Sequence, residues 1–231
     1  MLLFNGEIMK RIVDVAVSTD PIDNFQNIVD YAKEMQGHAE FLHCDIMNEN
    51  FVGKNTYDYN VVKTINSSSA IMLDCHLMVN EPANDVSKYI NAGANIVTLH
   101  YEAFKDKNQL AEVLKYIKKC NVLAGISLNP ATPFKEIRAF AYNADIVLVM
   151  GVEPGASGQA TDEEMYKKVA EIHRFKEDNN LNFKIEFDGG VNEKNAQKLR
   201  DLGVDILVSG SFVYNSKDRI NAIKILKGIE K

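Results

Sequence analysis

The 231-residue sequence reads as an α/β chain forming a (β/α)8 barrel, on three observations. Eight short β-rich runs recur, their starts 22 to 38 residues apart, which leaves room for a helix and two short loops between neighbours. Helix-start and helix-stop signals fall in those intervals. Polar, chemistry-bearing residues gather at the C-terminal ends of the runs, where barrels of this kind carry their sites. The length suits one such barrel, so a single domain over 1–231 is expected, with no linker or low-complexity tract interrupting it.

The runs are Ile12–Val17, Phe41–Met47, Ile71–Met78, Ile96–His100, Ala124–Leu128, Ile146–Met150, Lys184–Phe187 and Ile206–Ser209. Between them, Gly93 and Gly203 sit where a helix would end in the left-handed conformation before the next strand opens at Ile96 or Ile206. Thr132 and Pro133 pair a cap residue with a proline suited to a first helical position. Thr161 and Glu164 have capping-box spacing, and Asn192 is placed to cap a helix from Glu193. Ile220, Ile223, Leu226 and Ile229 recur at helical spacing in the last segment.

Composition narrows the function. With 46% apolar residues the chain is too hydrophobic for disorder. Its charge of −6 argues against a nucleic-acid surface, which would be a basic stripe. No apolar run approaches the roughly 18 residues of a membrane span, and the first residues lack a secretory-signal layout, so a cytoplasmic protein without a membrane partner is expected. Cys44, Cys75 and Cys120 form an odd set without zinc-type spacing, which predicts reduced thiols.

Strand parity then selects a site. In Phe41–Met47, alternation puts His43, Asp45 and Met47 on one face and Cys44 on the other; in the third strand, Asp74, His76 and Met78 share a face opposite Cys75. The polar face points inward, and Cys44 and Cys75 pack beneath helices. Asp188 ends the seventh strand. Two imidazoles and two carboxylates at one barrel mouth are costly to bury unpaired. A divalent transition ion (Zn, Fe, Mn or Co) resolves that cost, because such ions accept both donor types. Met47 and Met78 would line the mouth with polarisable apolar surface. His100 and Glu102 read as a hydrogen-bonded pair in the wall, with support of the site as the alternative.

Glycines supply the second feature. Gly155-Ala156-Ser157-Gly158 follows strand six, Gly189-Gly190 strand seven, and Gly210-Ser211 strand eight. Glycine lets backbone N–H groups approach an anion, and late loops commonly hold phosphate in these barrels.

The blocks His43-Cys44-Asp45-Ile46-Met47, Leu73 to Val79, Leu128 to Pro133, Val152 to Gly155 with Gly158-Gln159, and Asp188 to Asn192 together resemble those of the ribulose-phosphate 3-epimerases, in the same order and from about Val13 to Tyr214. The resemblance implies a TIM barrel of the ribulose-phosphate-binding type, acting as an isomerase of the pentose phosphate pathway on a small sugar phosphate. It implies one divalent metal held by His43, Asp45, His76 and Asp188, with the two aspartates as acid–base partners. It also implies phosphate binding at Gly155 to Gly158, Gly189, Gly190, Gly210 and Ser211, and a homo-oligomer.

Departures from the family pattern touch the substrate more than the reaction. Val15 stands where the family has a substrate-contacting serine, which predicts one lost hydrogen bond. Asn48-Glu49 replaces Asp-Gly, the Phe51–Asn55 loop carries an extra residue, and Ala156-Ser157 replaces Phe-Gly. The expected reaction is epimerisation of D-ribulose 5-phosphate to D-xylulose 5-phosphate through an enediolate. An allulose 6-phosphate epimerase and a non-catalytic sugar-phosphate-binding barrel are the alternatives.

Overall fold

A computed structural model of the protein describes residues 3, 4, 7, 8, 11–156, 159 and 161–229. Eight parallel strands close into a barrel. They are β1 (Asp14–Ser18), β2 (Phe41–Met47), β3 (Met72–Met78), β4 (Ile96–His100), β5 (Leu123–Leu128), β6 (Ile146–Met150), β7 (Lys184–Asp188) and β8 (Ile206–Ser209). Each lies within two residues of its expected run. Closure comes from β8 pairing with β1 through Ile206↔Asp14 to Ser209↔Val17. A two-stranded antiparallel ribbon, Leu3–Phe4 with Glu7–Ile8, precedes the barrel.

The outer layer is α1 (Phe25–Met35), α2 (Glu49–Val52), α3 (Tyr59–Ser68), α4 (Val86–Ala92), α5 (Lys107–Lys119), α6 (Arg138–Ala141), α7 (Glu163–Asp178), α8 (Ala196–Asp201), α9 (Ser211–Tyr214) and α10 (Arg219–Lys227). In α1, Asn24 caps the helix by accepting from the Gln26 N–H, and Ile28, Val29, Ala32 and Met35 form its buried stripe. Gly93 takes φ 102° at the end of α4 and Gly203 takes φ 101° just after α8, as their positions before strands require.

Four local expectations are corrected. Asp162, not Thr161, caps α7 by accepting from the Glu164 N–H, while the Thr161 hydroxyl donates to the Gly189 carbonyl. The Asp162 carboxylate accepts from the N–H two residues on, and the Thr161 hydroxyl is taken up by the end of β7 instead. Thr132 caps no helix: Pro133 leads into a 3₁₀ turn, Phe134–Glu136, and the Thr132 hydroxyl binds Glu102. Asn192 closes a turn by accepting from the Lys194 N–H, and α8 starts only at Ala196. In α10, Ile223 and Leu226 are buried but Ile220 is half-exposed, and Ile229 lies beyond Gly228, whose φ of 81° ends the helix.

Packing separates two apolar regions. The larger lies between barrel and helices and contains Cys44, Cys75, Val15 and Val17. The smaller, Ala16, Phe41, Ile96, Ile146, Ile206 and Val208, fills the lower barrel interior. Above it the inward positions become polar: His43, Asp45, Asp74, His76, Thr98, His100, Ser127 and Glu186 are all buried. An interior that changes from apolar to ionisable along its axis marks the C-terminal end of the strands as the working end. All three cysteines are free thiols, as expected.

Candidate active site

The register between β2 and β3 builds the centre. His43 pairs with Asp74 and Asp45 with His76, so both strands send alternate residues into the barrel at matched heights. β7 brings Asp188 to the same height from the other side of β8. The donor atoms converge: His43 Nε2 lies 3.3 Å from His76 Nδ1, 3.6 Å from Asp45 Oδ1 and 3.8 Å from Asp188 Oδ2. His76 Nδ1 lies 3.9 Å from each of those carboxylate oxygens. The three residues named from strand parity and Asp188, named from its strand end, therefore form one cluster.

Such a cluster fits a small divalent cation. Four donors at bonds of about 2.0–2.2 Å around a tetrahedral ion are spaced by about 3.3–3.6 Å, close to the separations found. Without a cation the electrostatics are strained. Burial pushes the Asp188 carboxyl up to about 7, with Asp45, Asp20 and Asp74 adding to the rise against His43. Burial pushes His76 down to about 4. Burial also opposes charge on His43, but Asp74 and Asp45 outweigh it and hold that ring well above its ordinary range. A buried set with such opposed tendencies is what a metal centre resolves by replacing protons with one cation.

His43 is fixed from behind. Its Nδ1 lies 2.5 Å from Asp74 Oδ2, so Nδ1–H donates to Asp74 and Nε2 is left facing the cluster. Glu186, one level below Asp188, has its carboxyl 3.7 Å from His43 Nδ1. Burial and the Asp74 charge raise Glu186 well above its ordinary carboxyl value, against the pull of His43. Asp45 receives a 2.6 Å bond from the Ser18 hydroxyl.

Above the cluster opens a cavity of about 280 Å³. Met47 and Met78 line it as expected, and so does Met150 at the end of β6. Sequence reasoning passed over Met150, although the inward parity of Ile146, Leu148 and Met150 carried the signal. It also passed over Ser18 and Asp20, which line the cavity from β1 and its loop. The opposite wall is the glycine-rich end: Gly155, Ala156, Gly189, Gly190, Gly210 and Ser211. Ser157 and Gly158 lie outside the described residues. Gly190 has φ 67°, and a Cβ there would stand 2.4 Å from the Gln159 carbonyl oxygen, so backbone approaches backbone at this rim.

The reading of Val15 is overturned. Its side chain belongs to the core between barrel and helices, while Ala16 and Ser18 point inward. A hydroxyl at position 15 would face helices, and Ser18 supplies the β1 hydroxyl of the site. In the loop after β2, Gly53 ends α2 at φ 81° and Lys54 Nζ lies 3.1 Å from Asp20 Oδ1.

Residues 14–214 match the model of the ribulose-phosphate 3-epimerase family. The chain belongs to that family. It is 34% identical over 220 residues to the chloroplastic ribulose-5-phosphate-3-epimerase of Arabidopsis thaliana, covering 94% of this chain and 78% of the relative. Against the ribulose-phosphate 3-epimerase of Chlamydia muridarum (strain MoPn / Nigg) identity is 35% over 200 residues, covering 83% and 85%. Among solved structures, 3-keto-L-gulonate-6-phosphate decarboxylase from Vibrio cholerae superposes with a TM-score of 0.73 at 12% identity, covering 94% of this chain and 97% of that one. That likeness concerns the barrel alone. As a ribulose-phosphate 3-epimerase family member, the protein is an isomerase that epimerises a carbohydrate phosphate. Among the described residues, no helix is long and apolar enough to cross a membrane.

Proposed function

We propose that the protein interconverts D-ribulose 5-phosphate and D-xylulose 5-phosphate, with a divalent metal ion held by His43, Asp45, His76 and Asp188. The observation that carries this reading is the convergence of those four donors at the floor of a cavity whose far wall is the glycine-rich end of β6, β7 and β8. When bound, the ion supplies a Lewis acid that stabilises negative charge on the ketose oxygens as the carbon acid loses its proton.

The remaining chemistry belongs to side chains. Asp45 and Asp188 rise from β2 and β7 on either side of the closing strands, and each carries a carboxylate oxygen into the cavity. One removes the proton at the epimerised carbon and the other returns a proton to the opposite face, each alternating as base and acid with direction. Ser18 steadies Asp45 through its 2.6 Å bond. Met47, Met78 and Met150 keep water from the enediolate without competing for its oxygens. Gly155, Ala156, Gly189, Gly190, Gly210 and Ser211 would receive the phosphate on backbone N–H groups, and the phosphate role expected of Ser157 and Gly158 is part of the same proposal. The pentulose is preferred to allulose 6-phosphate because Val15, which motivated a changed substrate, faces away from the cavity. A homo-oligomer, implied by the family resemblance, is part of the same proposal and is read by light scattering.

Solvent-deuterium incorporation into a panel of phosphorylated ketoses tests the reading. Label should enter at carbon 3 of ribulose 5-phosphate, be lost on chelation and return with added ion. Asp188→Asn should lower exchange by at least about 100-fold, the usual scale for losing a general acid–base group. Full turnover in that variant, or exchange indifferent to chelator, would refute the assignment.

A further inference from the structure

His76 is buried with both ring nitrogens engaged. Its Nδ1 joins the four-donor cluster, and its Nε2 lies 2.8 Å from Nε2 of His100 on the neighbouring strand β4. The two ring planes are 17° apart with centroids 4.9 Å apart, and the Nε2–Nε2 separation is a hydrogen-bond distance. His100 is itself fully buried, and its Nδ1 lies 3.3 Å from Glu102 Oε2. The other Glu102 oxygen accepts from the Asn129 N–H at 2.8 Å and from the Thr132 hydroxyl. Lys168 Nζ on α7 donates to the carbonyls of Asn129, Pro130 and Thr132 at 3.1, 2.7 and 2.8 Å, which locks that loop in place. Phe51 of α2 covers the His100 ring, with centroids 5.1 Å apart.

The order of the hydrogens in this row is set from its Glu102 end. Glu102 is an acceptor, held ionised despite burial by its bonds from His100, Thr132 and Asn129, at a pKa of about 2. With an ionised acceptor at its Nδ1, the His100 tautomer that matches carries its hydrogen on Nδ1 and a lone pair on Nε2. That lone pair accepts from His76, so the His76 hydrogen sits on Nε2 and its Nδ1 lone pair faces the cluster. The reverse order would place a hydrogen on His76 Nδ1, where it would bond to His43 Nε2 3.3 Å away and take a donor lone pair from the cation site.

We propose that His100 is a positioning residue that acts through His76: anchored by Glu102 and the Asn129–Thr132 loop, it selects the His76 tautomer that presents Nδ1 to the ion. The proposal rests on the metal-site reading above. It assigns a task to a loop far from the phosphate wall, namely to hold the remote end of a three-residue relay ending on a ligand. His43 obtains the same service from Asp74 directly, so the two imidazoles are set by two independent carboxylates.

Two measurements on the full-length protein test it. The first is the ring tautomer of His76 by ¹⁵N NMR of ion-free protein labelled at histidine. The Nε2–H form should dominate in wild type, and Glu102→Gln, whose amide can turn a donor toward His100, should populate the Nδ1–H form. The second is Zn²⁺ affinity by competition with a chromophoric chelator. His100→Phe, which fills the space without an acceptor, should weaken binding by about 10- to 100-fold, the range found when a ligand-orienting partner is removed. His100→Gln, which restores an acceptor, should recover most of that loss. In a His76→Ala background, adding His100→Phe should cost nothing further. Equal losses in both backgrounds, or a wild-type His76 in the Nδ1–H form, would overturn the proposal. If His100→Phe does not fold, Glu102→Gln decides through the tautomer. Wild-type protein that binds no Zn²⁺ would defeat the metal reading instead, while the tautomer measurement would still judge the role of His100.

Discussion

Asp74 and His43 face each other across β2 and β3 with Oδ2 and Nδ1 2.5 Å apart, both fully buried. Asp74 thereby fixes which imidazole nitrogen reaches the cation site. Asp74→Asn exchanges a carboxyl acceptor for an amide that can present either end to the ring. Divalent-ion affinity should fall by about 10- to 100-fold, with turnover at saturating ion falling less. A competition titration measures this, and an affinity within twofold of wild type would show that the ring needs no such partner.

Val15 offers a test in which the sequence pattern and the fold disagree. Restoring the family serine with Val15→Ser should leave KM for ribulose 5-phosphate unchanged, because the side chain packs among Val17, Leu207 and the helices. It should instead destabilise the protein by about 1–3 kcal/mol through burying a hydroxyl in an apolar core. Steady-state kinetics and denaturant unfolding read the two effects; an improved KM with unchanged stability would put position 15 in the cavity after all.

Gly190→Ala should damage substrate binding through the backbone. The residue has φ 67°, and an added Cβ would press on the Gln159 carbonyl at 2.4 Å, so the loop must shift. A non-glycine residue in this region costs about 1–2 kcal/mol before any clash. KM should rise by about 10-fold or more, and inhibition by inorganic phosphate should weaken in parallel, with kcat less affected. A KM rise without weaker phosphate inhibition would place the phosphate elsewhere.

Acid should unravel the Glu102 anchor. Its pKa is about 2, below the ordinary carboxylate value near 4.5, so its stabilisation is complete above that value and is lost as pH falls from there toward 2. Glu102→Gln should be less stable than wild type at neutral pH and should show a shallower loss of stability over that window. Thermal unfolding at several pH values checks it; parallel acid limbs in the two proteins would contradict the assignment.

The elements and the four-residue cluster were legible because the signals that define them are local. Two-residue alternation alone put His43, Asp45 and Asp74, His76 on inward faces, and strand ends placed Asp188 beside them. Short-range signals failed where a loop is held by a distant strand. Thr161 and Thr132 look like helix caps, yet the first hydroxyl is used by the β7 end and the second by Glu102. Met150 was missed because an apolar residue at a strand end resembles core until cavity and core are separated. Val15 was misjudged because family position was read without parity: Ser18, three residues on, is the one that faces the site.

The matched heights of β2 and β3 have a consequence for quality control. Cluster residues and packing residues alternate on both strands, and Cys44 lies in register with Cys75 between the rows of cluster residues. A slide of one residue along either strand would carry that strand's imidazole beneath the helices and turn a thiol toward the axis. Misregistered molecules would therefore be catalytically silent rather than slow, so the fraction of active sites counted by ion titration doubles as a census of correctly threaded barrels.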